Sequence, residues 1–188
     1  MSLRRLPIVP TLLVLAAAGY MIHLGLWQLD RLRQKEAMIA RFTAAQADQT
    51  VHPWGAAGIP YSRVRLTCAN GSAPAAVAGQ NAARQAGWAH LVICDVVGGG
   101  RAEIVLGWSQ RPEGVAWSGG VVTGTRIDRG QAGVRVIADP PLAGLQANAR
   151  PDPRDLPNNH LSYAVQWFLF AATALVIYGL AVRKRIKG

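Results

Sequence analysis

The chain has 188 residues, a net charge of +10 and 51% hydrophobic residues. Its ten carboxylates and four histidines fall at no zinc-ligand or acid–base spacing, and it carries no Gly-x-Ser-x-Gly, no Gly-Lys-Ser/Thr phosphate loop and no His-Glu-x-x-His. The motif-read hydrolase, nucleotide-binding and zinc-protease classes are therefore set aside, and the basic balance suits a membrane surface or an acidic partner better than nucleic acid.

In chain order, a basic tail over residues 1–5 with Arg4 and Arg5 precedes an apolar run, Leu6–Trp27, that contains no Asp, Glu, Lys or Arg. Its 22 residues span about 33 Å as a helix, enough for a hydrocarbon core of about 30 Å. Ala16-Ala17-Ala18 resembles a small-residue cleavage site, but the run continues past it to Trp27, too long for a signal-peptide core, so a retained span is expected. Gln28–Ala47 lacks Pro and Gly and predicts a helix continuing beyond the span.

Strand signals follow. Val64, Leu66 and Cys68 alternate with Arg65 and Thr67. Trp88–Val97 and Ala102–Trp108 are buried-type runs joined by Gly98-Gly99-Gly100, which reads as a hairpin connection. Val121–Ile127 and Val134–Ala138 add two more, giving an expected β-rich domain of five to seven strands. Pro140, Pro141, Pro151, Pro153 and Pro157 mark an irregular connector. Cys68 and Cys94 both fall in predicted strands; a disulfide and two buried thiols remain equally open.

The second apolar run, Leu161–Val182, also lacks charge and leads into Arg183-Lys184-Arg185 and Lys187. Six basic residues in two short tails predict both termini in the cytoplasm. The expected fold is thus a membrane protein with two transmembrane α-helices (6–27 and 160–182) flanking a β-rich extracytoplasmic domain (28–159, with an N-terminal helix), and a basic tail at 183–188. The absence of an Arg/Ser-rich leader favours a bacterial inner membrane with the main domain periplasmic.

Both spans carry a histidine near the outer end. At helical spacing, His160, Ala164, Trp167, Ala171, Ala174, Tyr178 and Ala181 share one face, which small residues would let pack closely, while Leu161, Val165, Phe168, Leu169, Leu175 and Val176 suit lipid. On the first span Leu12, Ala16, Gly19, Tyr20, His23 and Trp27 read as the matching face, extended by Arg31 and Lys35. The plainer reading makes His23 an interhelical hydrogen-bonding residue, His160 a cap, and Trp27 and Trp167 interfacial anchors. The functional reading is a porphyrin site, with histidine as axial ligand, tryptophans as wall, and Arg31 and Lys35 facing propionates.

The segment Asn158-Asn159-His160-Leu161-Ser162-Tyr163-Ala164-Val165-Gln166-Trp167-Phe168 resembles the C-terminal signature of the surfeit-locus-protein-one family. Gly25-Leu26-Trp27-Gln28-Leu29-Asp30-Arg31-Leu32-Arg33-Gln34-Lys35 resembles the family's Gly-x-Trp-Gln-x-x-Arg signature with its following lysine. Val105-Leu106-Gly107-Trp108 is similar to a weaker middle segment, with Leu106 where the family has arginine.

The resemblance implies a non-enzymatic assembly factor for a haem-copper terminal oxidase that binds haem A transiently and helps its insertion into the catalytic subunit, with haem A synthase as a further partner. It implies His160 as the iron ligand. His23 as a second ligand, Trp27, Trp167, Tyr163 and Gln166 as pocket residues, and Arg31 and Lys35 as propionate partners are readings of this sequence. The alternative is a haem-free adaptor that scaffolds oxidase subunits.

Overall fold

Between Ile8 and Ala47 the only helix breakers are Pro10, tolerated in a first turn, and Gly19 and Gly25. The stretch accordingly forms one helix, α1 (Ile8–Ala47). The computed structural model describes residues 7–55 and 58–187. Arg4, Arg5 and the rest of the tail assigned to 1–5, with Leu6 and Gly188, lie outside the described residues. α2 (His160–Lys187) begins at the histidine itself, its first turn closed by the Tyr163 N–H donating to the Asn159 carbonyl. Lys184, Arg185 and Lys187 sit in its last turn, where cations complement the helix dipole. Both helices are long and apolar enough to cross a membrane.

The strands are β1 (Val51–Pro53), β2 (Arg63–Gly71), β3 (Ala75–Gln80), β4 (Ala86–Val96), β5 (Arg101–Ser109), β6 (Gly120–Asp128) and β7 (Val134–Ala138). The five strands read from the sequence are present as β2, β4, β5, β6 and β7. β1 and β3 are additions: β1 is three residues long and ends on a proline, and β3 is built of Ala, Val, Gly and Gln with no alternating burial. Gly98, Gly99 and Gly100 all take positive φ, which only glycine adopts without strain, and they turn β4 into antiparallel β5 as read from sequence.

Pairing runs β2–β6–β7–β5–β4, and β4 pairs back onto β2, which closes a five-stranded barrel with β1 and β3 on its margins. Most contacts are antiparallel; β5–β7 and β1–β2 are parallel. Alternate residues fill the interior: Val64 and Leu66 of β2, Val92 and Val96 of β4, Ile104 and Leu106 of β5, Val122 of β6 and Val136 of β7. So small a barrel is packed with side chains and holds no channel. Two compact units result, the helical segments up to Met38 and from Pro157 on, and Ile39–Leu156 with the barrel.

Cys68 and Cys94 are joined by a disulfide, with Cα atoms 5.6 Å apart. The bond lies across β2 and β4, the pair that closes the ring. After the barrel, Asp152 caps a short 3-10 turn at Pro153–Asp155. Hydrogen bonds from the Arg154 side chain and its backbone N–H hold the Asp152 carboxyl below the usual carboxylate range.

The closing strand pair carries a register irregularity between Cys68 and Asn70, as β4–β5 does between His90 and Leu91. Replacing Cys68 and Cys94 together by alanine removes a cross-link over a separation of 26 residues. Restored chain entropy of the unfolded state lowers stability by about 3 kcal/mol. The check is the denaturant midpoint followed by tryptophan fluorescence; an unchanged midpoint would mean that barrel closure does not rely on the bond.

Candidate functional site

The helical unit is built on a seam of small residues. On α2, His160, Ala164, Trp167, Ala171, Ala174 and Tyr178 are buried or half-buried, which is the face read from the sequence up to that point. On α1 the seam is different from the one expected. Thr11, Val14, Ala18, Met21, Gly25 and Gln28 are covered, at alternating steps of three and four, while Leu12, Ala16, Gly19, Tyr20, His23 and Trp27 are exposed. The expected α1 face followed the histidine and the aromatics. The helices instead pack where side chains are smallest, because backbones approach only there.

Gly25 shows how close that approach is. A β-carbon there would fall 2.5 Å from Cε1 of Phe168. Phe168, assigned to lipid from the sequence, therefore packs into the seam. At the far end Thr11 Oγ1 and the Tyr178 hydroxyl share a hydrogen bond. At the near end Gln28 Oε1 lies 2.7 Å from His160 Nδ1. The three contacts define an antiparallel pair with its polar bonds at both ends and its smallest residues between them.

Beside the His160–Gln28 bond, Arg31, Gln34, Lys35, Met38 and His160 line an open hollow of about 250 Å³. Arg31 is already engaged: its guanidinium lies 5.4 Å over the Trp27 ring, and Nη1 donates to Gln34 Oε1 at 2.8 Å. Gln34 Nε2 in turn donates to Asp30 Oδ2 at 2.8 Å. Lys35 is half-buried on the extension of the seam.

Of the residues singled out from sequence, His160, Arg31 and Lys35 are thus brought together. Trp27 joins them only through Arg31. Trp167 is half-buried on the seam, edge-on to Phe170 with ring centroids 6.2 Å apart. Tyr163 and Gln166 are exposed on the flank of α2. His23 is exposed, off the seam and five residues before Gln28, so the pair does not carry both histidines into one hollow. Gln28 is the residue that sequence reasoning passed over. Its place in Gly25-Leu26-Trp27-Gln28, three residues after the glycine that the seam is built on, was the available signal.

The barrel holds a fully buried histidine, His90. His90 Nε2 lies 2.7 Å from Ser109 Oγ, whose hydroxyl donates to the Arg111 carbonyl. With its proton committed to Arg111, Ser109 accepts from His90 and is no activated nucleophile. Among the described residues no group of three or more His, Cys, Asp or Glu side chains could hold a metal ion.

The SURF1 family model matches residues 15–172, the greater part of the chain, including Gly25, Gln28, His160 and Phe168. No curated protein and no solved structure matches.

The seam predicts a paired mutational effect. Gly25→Leu should lower oxidative cross-linking between cysteines placed at Thr11 and Tyr178 several-fold, and Phe168→Ala in the same chain should recover most of it. Equal cross-linking in all three would contradict the packing of Phe168 on Gly25.

Proposed function

This chain belongs to the SURF1 family, a family associated with cytochrome oxidase assembly, and from that premise we propose that it carries haem A to the catalytic subunit of a haem-copper terminal oxidase. The observation that carries this reading is the orientation of His160. Its Nδ1 is taken by Gln28, which leaves Nε2 for iron beside the cationic side chains of Arg31 and Lys35. Imidazole with one nitrogen hydrogen-bonded and the other free is the ordinary state of a metal-ligating histidine.

The donor set fits a porphyrin in kind. His160 would supply the axial nitrogen, and Lys35 and Arg31 would face the carboxylates, with Met38 offering an apolar contact. The fit is to an open cradle. Ligand pockets that enclose a small molecule run from roughly 300 to 1,000 Å³, and this hollow of about 250 Å³ is smaller. Lipid or the receiving protein would supply the remaining wall. Haem brings its own redox chemistry once installed in the oxidase; what this chain does is hold, orient and release it.

We place both basic termini in the cytoplasm and the barrel in the periplasm of a bacterial inner membrane, as the charge of the tails favours. The exposed apolar side chains Leu13, Leu15, Leu169 and Val176 are suited to contact lipid. The oxidase subunit, and a haem A synthase as donor, are the partners proposed.

The test is the visible spectrum of protein purified from cells that make haem A. Wild type and His23→Ala should show a Soret band, and His160→Ala should lose it while still inserting. No haem in the wild type would favour the haem-free adaptor of oxidase subunits. Loss in His23→Ala alone would move the ligand to the first helix.

A further inference from the structure

The bond between Gln28 and His160 has a direction. An amide oxygen can only accept, so Nδ1 donates to Gln28 Oε1, 2.7 Å away, and carries the ring proton. Neutral imidazole has one proton for two nitrogens, so Nε2 keeps its lone pair. We propose that Gln28 is the positioning residue of His160, fixing the tautomer that presents Nε2 to the iron and, as a neutral amide, keeping that nitrogen a weak enough donor to surrender it. This inference rests on the haem-carrying reading for its second half only; the first concerns the ring itself.

The surroundings of the bond support both halves. Gln28 is held at its distance by the seam: Gly25 stands one turn before it with Phe168 against its backbone, and Ala164 stands one turn after His160 and is fully buried. The glutamine needs no backbone shift to reach the ring. The choice of a neutral partner matters because a carboxylate accepting the Nδ1 proton makes the imidazole a stronger base and a tighter ligand. The carboxylate that follows Gln28 in the chain is engaged elsewhere. Asp30, two residues after Gln28, accepts from Gln34 instead. A resident cofactor would gain from the stronger ligand, whereas a cargo that must be handed on is better served by the weaker one.

The experiment uses full-length protein in detergent with ¹⁵N-labelled histidine, His160→Ala supplying the assignment. Without haem, His160 in the wild type should be protonated at Nδ1. Gln28→Glu should keep that tautomer and Gln28→Ala should lose it. Protonation at Nε2 in the wild type, or an unchanged tautomer in Gln28→Ala, would overturn the positioning role.

Haem-loaded protein mixed with an excess of an apo-globin then reads release. Gln28→Glu should slow transfer about tenfold and Gln28→Ala should speed it about tenfold, the range in which such outer partners act. Equal rates in all three would overturn the tuning. Protein that shows the Nδ1 tautomer and takes up no haem would uphold the positioning role and remove the haem reading. Haem uptake with the Nε2 proton would do the reverse.

Discussion

The site depends on how closely α1 and α2 approach one another. Water does not drive helices together inside a membrane, since lipid chains solvate leucine as well as another helix does. What remains is contact between backbones and the few hydrogen bonds that can be made. Ala18 and Gly25 on α1, with Ala164 and Ala171 on α2, are the buried residues of the pair, and each is small. Lodging Phe168 against Gly25 adds dispersion contacts that any side chain at that position would displace. With the backbones brought this near, a side chain as short as glutamine spans the gap to His160.

The two interhelical hydrogen bonds are spaced to suit that arrangement. Thr11 meets Tyr178 and Gln28 meets His160, one pair near each end of the apolar stretch. A polar group left unpaired in hydrocarbon is costly, so each of these side chains gains by meeting another. The bonds also fix the register: sliding one helix by a turn would break both and drive Phe168 off its glycine. Register in turn decides which residues of α1 stand beside the histidine, here Arg31, Gln34, Lys35 and Met38. The barrel obeys a different constraint. Closure of β4 onto β2 removes the sheet edges between them, alternating side chains fill the interior, and the disulfide crosses the closing pair.

Much of this was legible in the chain because the physics behind it is local. Charge-free runs set the two long apolar helices, the absence of Pro and Gly from Gln28 to Ala47 extended α1, and alternation in Val64–Cys68 together with apolar runs bounded by turn residues marked five strands. The α2 face was legible because its small residues and its histidine coincide. On α1 they do not. His23 and the aromatics lie on one side, Ala18 and Gly25 on another, and a reading that follows chemistry-bearing residues chooses the wrong side. β1 and β3 carry no pattern of their own, being a three-residue strand and an alanine-rich margin that exist through their neighbours' hydrogen bonds. Gln28 was hidden for the same reason as the α1 seam: a glutamine becomes a partner to a histidine 132 positions away only when the helices' relative rotation is known.

These constraints bear on what kind of binding the helix pair can offer. A site meant to retain its ligand is enclosed, so that dissociation requires several contacts to break in a closed volume. The hollow beside His160 is open and small, one of its two cations is already committed to Trp27 and Gln34, and its single imidazole is backed by a neutral amide. Each of these features weakens retention without removing orientation, because the seam still aims the imidazole. On the proposed haem-carrying role, a receiving protein with a stronger ligand set would take the iron from the open side while the seam, and with it the geometry of the helix pair, stayed intact. For the role proposed, the close small-residue packing of the pair and the openness of the hollow are complementary requirements of one task.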